Sequence, residues 1–321
     1  MSRKLISLSC AATLMSGTAM AEVPKVATDI GPVHSLVSKV MGDLGEATML
    51  VQPGASPHDY RMRPSEAAAL QEADLVFWIG EDLTPWLEDA IDTLAEDARV
   101  TSLLEADGTK LLDFREGALF EAHGPEDHEE QADHDDGDRE EHADQEGDDH
   151  GEHDPHAWLS LQNAGNWLNV IAVQLSAVDP ENAGTYFANA AAGRTEMEEL
   201  ATEVNATLDP VRGSSFIVFH DAYQYFEDDF GFAASGAISL GDASDPSPAR
   251  IAEVQERIAD EDVVCVLAEP QFNSGIVATV LDGTDASTGV IDPLGLALEP
   301  GVEFYPQLIR TMTLTLVDCL N

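Results

Sequence analysis

Three histidines, His58, His156 and His220, stand on separate segments where their imidazoles could converge on one metal ion. His220 ends the apolar run "SFIVFH" and is followed at once by Asp221 and a helical pattern. The carboxyl end of a buried strand is where α/β folds place binding groups, whereas a core histidine there would need a hidden partner. His58 lies in "VQPGASPHDY", a Gly- and Pro-rich turn just past the strand-like "ATMLVQ". Taken alone, it reads equally well as a solvated loop residue. His156 follows Asp154-Pro155 and opens "HAWLSLQ", so it is either the last residue of the acidic run before it or the first of the ordered chain. Three neutral nitrogen donors suit zinc, a borderline d10 ion that accepts tetrahedral geometry at little cost, while manganese calls for more carboxylate. The fourth position falls to Asp292 in "GVIDPLG" or to water, and an Asp-Pro turn explains Asp292 equally well. Glu269 in "LAEPQF" reads as a support for a ligand or as a helix cap. His34 in "GPVHSLV" reads as a helix-start residue rather than a ligand, since its helix is amphipathic and self-explanatory.

The other six histidines, His123, His128, His134, His142, His150 and His153, are embedded in a run of Asp and Glu over about 120–154. This stretch has too few apolar residues to bury and is expected to form a disordered loop. Metal binding there must overcome the entropy of a free chain, and neighbouring carboxylates favour imidazolium, which competes with metal for the lone pair. The tract is therefore expected to be a lower-affinity accessory site that gathers or senses zinc.

The elements that must position the three histidines alternate. "KVATDIGPVHSLVSKVMGD" is a strand, a turn and a helix; "PSEAAALQEAD", "LVFWIG" and "TPWLEDAIDTLAED" continue with helix, strand and helix. After the tract come a helix through "LQNAGNWLNVIAVQLSAV" and a second helical stretch of roughly 28 residues, about 40 Å at 1.5 Å per residue. A second alternating series runs from "SFIVFH" through "SPARIAEVQERIADED", "VVCVLAEP", "GIVATVLDG" and "TGVIDPLG" to a terminal helix in "FYPQLIRTMTLTLVDCLN". The pattern predicts an α/β fold of two lobes, each a mostly parallel sheet flanked by helices, with ligand in the cleft between them. The expected boundaries are 22–179 for the first lobe, 180–209 for a long rigid connector helix and 210–321 for the second lobe.

Residues 1–21 read as a secretory signal: basic Arg3 and Lys4, an apolar run from Leu5 to Met15, and cleavage after Ala19-Met20-Ala21. Cys10 lacks the upstream Leu of a lipidation site. No later stretch reaches the roughly 20 unbroken apolar residues of a membrane span, so direct membrane insertion is not expected. The formal charge of −46 makes nucleic acid and anionic lipid headgroups poor partners and cations better ones. Cys265 and Cys319 remain after cleavage, and an even pair in an exported chain favours a disulfide over a metal site. Three His plus water is also the first shell of catalytic zinc, but no HExxH or other catalytic motif appears, so an enzyme is not expected.

In order along the chain, "GASPHDY", "RPSEAAALQEADLVFWIG", "DPHAWLS", "VFHDAYQYFE", "CVLAEPQF" and "IDPLG" resemble the signatures of the zinc-specific solute-binding proteins of bacterial ABC importers, the ZnuA type of the cluster A-I metal-binding family. The resemblance covers nearly the whole mature chain and extends to the acidic, His-rich loop. It implies a periplasmic protein that holds Zn(II) between two lobes at His58, His156 and His220 and delivers it to a membrane permease. It further implies the Cys265–Cys319 disulfide. Some members carry Glu before the first metal histidine, where this chain has Pro57; Asp292, whose counterpart binds metal in the related manganese proteins, or water is left for the fourth position. The same fold binding manganese or another divalent metal is the alternative, and the chain is expected to act as a monomer.

Overall fold

The computed structural model describes residues 23–115, 120, 153–239 and 246–321. The expected signal segment and the tract histidines His123, His128, His134, His142 and His150 lie outside the described residues.

The first half runs β1 (Val26–Thr28), α1 (Gly31–Met41), β2 (Ala47–Met49), α2 (Pro64–Gln71), β3 (Leu75–Trp78), α3 (Pro85–Leu94) and β4 (Arg99–Ser102). Helices α4 (Leu161–Val178) and α5 (Ala183–Leu208) follow. The second half runs β5 (Phe216–His220), α6 (Gln224–Phe230), β6 (Ala237–Ser239), α7 (Pro248–Asp260), β7 (Cys265–Ala268), α8 (Ser274–Leu281), β8 (Ser287–Val290) and α9 (Phe304–Leu320). Proline at the first turn starts α1, α2, α3 and α7, where its missing N–H costs nothing. Both sheets are parallel, ordered β2-β1-β3-β4 and β6-β5-β7-β8. The two orders are the same when strands are numbered within each half. Each sheet therefore has a topological switch point between its first and third strands, where crossovers depart to opposite faces and leave a crevice.

At the first switch point stands Asp29, fully buried just past β1. Its Oδ1 accepts from the Ile30 N–H and its Oδ2 from the Ile79 N–H, each at 2.7 Å, which ties the ends of β1 and β3 together. Burial outweighs these bonds and pushes its carboxyl up to about 7. Because the folded-state value lies above the ordinary 3.8, the neutral acid favours the fold: that contribution is complete below pH 4 and is lost as pH rises through 7. The loss amounts to at most about 4 kcal/mol. Asp29→Asn removes the titration, so the urea midpoint of the native chain should fall relative to the variant between pH 4 and 8. Parallel pH profiles in the two proteins would exclude Asp29 as the source.

The lobes are joined by more than a connector. α5 spans 26 residues, and its buried stripe of Tyr186, Ala190, Gly193, Met197, Leu200, Val204 and Leu208 packs against α1, α4 and α9. Glu196 on α5 pairs with Lys39 on α1 at 2.5 Å, and Glu203 pairs with Arg310 on α9 at 3.0 Å. One contiguous apolar core passes from α1 through α4 and α5 to α9. Where α1 meets α9, the Phe304 ring sits so close to Gly31 and Gly295 that a Cβ on either would come within 2.7 Å of it. Wide hinge opening would break this packing, so small relative movements are the ones the fold permits. The disulfide joins Cys265 on β7 to Cys319 on α9, with Cα atoms 5.7 Å apart, in agreement with the cysteine count. No helix among the described residues is long and apolar enough to cross a membrane.

Candidate metal site

His220 is the last residue of β5 and is in register with Ser239 of β6, while the start of β5 pairs with β7 on its other edge. Glu269 follows β7 directly, on the opposite side of the second switch point. Its Oε1 lies 2.7 Å from His220 Nδ1 and accepts from the His220 N–H at 3.3 Å. His156 is braced in the same way by a different carboxylate: Asp154 Oδ1 lies 2.7 Å from its Nδ1 and accepts from its N–H at 2.9 Å. With the hydrogen of each neutral ring on Nδ1, directed at its carboxylate, the Nε2 lone pair is turned outward from the brace. His156 and His220 are both buried. The half-buried His58 sits in the loop after β2, where the Trp86 indole donates to the Pro57 carbonyl at 2.7 Å and the His58 N–H donates to Ser56 Oγ.

The three rings surround one small pocket of about 20 Å³, also lined by Trp158, Glu269 and Phe272. That volume holds a single ion or water molecule. Ring centroids are 5.8 Å apart for His58 and His156 and 5.3 Å for His156 and His220. Three imidazoles on a tetrahedral zinc, with Zn–N of about 2.0–2.1 Å, would have centroids about 5.2 Å apart. The observed spacings are slightly wider, and among the described residues no group of three or more His, Cys, Asp or Glu is drawn close enough together to hold a metal ion as it stands. A wider groove of about 500 Å³ along α4 and α5 contains no histidine and shares no residue with this pocket.

Local electrostatics follow from burial. Asp154 is pushed up to about 7 chiefly by desolvation, opposed by the His156 N–H and by Arg115. Burial, then the neighbouring Glu269 carboxylate, holds the Tyr223 phenol well above its ordinary value. Glu269 Oε2 is buried, and Glu269 lines the pocket beside the Tyr223 hydroxyl.

The structure thus brings His58, His156, His220 and Glu269 together. Asp292 does not line the pocket: its Oδ1 accepts from the N–H groups of Leu294 and Gly295 and from the Gln271 amide, and its Oδ2 from the Leu296 N–H. It caps the turn after β8, the alternative that its Asp-Pro sequence left open. His34 has its Nε2 3.1 Å from the Ala47 carbonyl and takes no place in the pocket. His153 is partnered by Asp113 at 2.9 Å. Asp154, given no role of its own in the sequence reading, proves to be the brace of His156; the Asp-x-His spacing was the available signal. Arg115 was missed altogether, and nothing in its local sequence marks it.

Two facing parallel sheets with a nitrogen-rich pocket at their carboxyl ends define a two-lobed α/β fold of the solute-binding type. The family described as ZnuA, zinc-uptake complex component A periplasmic, matches residues 26–319, and the chain belongs to it. It is 44% identical to the high-affinity zinc uptake system protein ZnuA of Paracoccus denitrificans, over 94% of each chain. Among solved structures, a ZnuA crystal structure superposes with a TM-score of 0.72 at 23% identity, covering 93% of this chain and all of that one. A manganese-bound periplasmic metal-binding protein from Candidatus Liberibacter asiaticus superposes with a TM-score of 0.71 at 21% identity, covering 92% of this chain and all of its own. At these identities the two structures speak for the fold alone.

Proposed function

We propose that the chain is an exported zinc-binding protein that captures Zn(II) at His58, His156 and His220 and passes it to the permease of an ABC importer. The observation that carries this reading is the convergence of three imidazoles from three separate segments on an ion-sized pocket, two of them braced by buried carboxylates. Binding and release are its whole function. Residues 22–179 and 210–321 act as the two lobes, with 180–209 between them, and docking on the permease loosens their contact to free the ion. The nitrogen set favours zinc over manganese, as donor softness and the Irving–Williams order require. Asp292 reaches the ion only by giving up its turn, so a water molecule takes the fourth position while that turn is closed. The acidic tract gathers zinc at lower affinity and is dispensable to the tight site.

The mature chain and a version lacking residues 121–152 should each be titrated with zinc against manganese. The expected result is one tight zinc site per chain in both, with manganese displaced by zinc. Manganese preference sinks the three-histidine assignment, and disappearance of the tight site on deletion sinks its placement in the cleft.

A further inference from the structure

We infer that Arg115 is a positioning residue for metal binding, fixing the distance between the segment that carries His156 and the strand that carries His220. The inference rests on the zinc-binding reading above. Arg115 belongs to the stretch after β4, yet among the described residues its guanidinium hydrogen-bonds to carboxylates of the second lobe. Its Nε lies 3.0 Å from both oxygens of Asp221, the residue immediately after His220, and its Nη2 also donates to Asp221. Its Nη1 donates to Glu227 on α6 at 2.7 Å. The ring of Phe120 covers it, 3.5 Å below the guanidinium carbon.

On the other side, the stretch that holds Arg115 is stitched to the stretch that holds His156. Asp113 and His153 form an antiparallel bridge, and the Asp154 N–H donates to the Leu112 carbonyl at 2.8 Å. Tyr225 on α6 fastens both stretches from the second lobe: its hydroxyl accepts from the Leu112 N–H at 3.0 Å and donates to the Asp154 carbonyl at 2.9 Å. These contacts run in a circuit from His156 through Asp154, Leu112, Arg115 and Asp221 to His220. The circuit closes across the pocket, where the two rings stand 5.3 Å apart.

The clamp is protected from solvent, with side-chain exposures of 16% for Arg115 and 5% for each of Asp221 and Glu227. A planar fork that serves two carboxylates at once sets geometry in a way a lysine ammonium does not. Without it, two like charges sit buried side by side behind His220, and the turn from β5 into α6 must rearrange to relieve them. The circuit then loses the link that fixes where His220 stands relative to His156.

The test uses the full mature chain, with zinc affinity from chelator competition, zinc release rate, and the visible absorption of the cobalt(II)-loaded protein. Arg115→Gln is expected to weaken zinc binding about 10–100-fold, the range found for groups that orient metal ligands, mostly as faster release and with altered cobalt bands. Arg115→Lys should recover part of the affinity. Since Arg115→Gln leaves buried carboxylates unpaired and puts folding at risk, the uncharged variant Arg115→Met/Asp221→Asn/Glu227→Gln removes the clamp without that penalty and should show the same weakening. Native release and a native cobalt spectrum in either folded variant overturn the inference while leaving the zinc reading intact. A native chain that binds no zinc overturns both.

Discussion

His220→Ala is expected to weaken zinc binding by more than about 100-fold, beyond the 10–100-fold range typical of residues that only orient a ligand. The backbone of His220 is held in register against Ser239 of β6, and β5 pairs with β7 on its other edge, so no neighbouring donor can slide into its place. Glu269→Gln keeps the imidazole but exchanges an ionised acceptor for a neutral amide, and its loss should stay within the smaller range. The order of the two effects identifies the roles: a ligand costs more than its brace. Competition against a chromophoric chelator at neutral pH reads both, because the ligating imidazoles must be neutral and protons compete with the metal as pH falls. Retention of zinc within a few-fold by His220→Ala would remove the pocket from consideration. The metal-free melting temperature of each variant serves as the folding control, since the alanine removes the imidazole that faces the buried Glu269 Oε1 and leaves it the His220 N–H.

Of the three histidines of the pocket, His220 was the most legible because it sits where a strand pattern ends. "FIVFH" declares a buried strand and its terminal residue together, and "LVFW" does the same for β3. The strands that went unread are those without such a pattern. β4 is an edge strand, "RVTS", with no fully buried residue, and β6 is only three residues long. The sequence also conceals how firmly α5 is packed. Its buried stripe passes through Ala190 and Gly193 inside an Ala-rich stretch, and small residues carry little hydrophobic contrast even when helices approach closely over them. Asp292 was ambiguous in the sequence because one carboxylate can cap a turn or ligate an ion, and only its four hydrogen bonds show which role this conformation uses. Arg115 lies 106 and 112 positions from its partners, so no local periodicity or spacing could announce it.

Removing the disulfide should separate stability from affinity. The bond closes 54 positions of chain, and the chain-entropy relation gives about 4 kcal/mol of stabilisation for a loop of that length. Cys265→Ala/Cys319→Ala should therefore lower the unfolding free energy by up to about 4 kcal/mol, with native-state packing deciding how much is realised. Zinc affinity should change little. The bond sits near the C-terminal end of α9, whereas the other end of that helix reaches the site: the Tyr305 hydroxyl donates to the Trp158 carbonyl at 2.7 Å, and the Tyr305 N–H donates to Ser35 Oγ on α1 at 3.0 Å. Those contacts survive as long as the first turns of α9 stay docked. The three-histidine pocket exists only in the folded chain, so zinc held there at 1,000 times its dissociation constant would contribute about 4.1 kcal/mol. The two quantities are nearly equal, so the zinc-loaded double variant should unfold at about the same denaturant concentration as the metal-free native chain. Urea titrations of four species, native and variant with and without zinc, test this directly. A variant that unfolds well below metal-free native protein even when saturated with zinc would mean that α9 needs its C-terminal tether to keep Tyr305 against the site, and that the disulfide acts on binding as well as on folding.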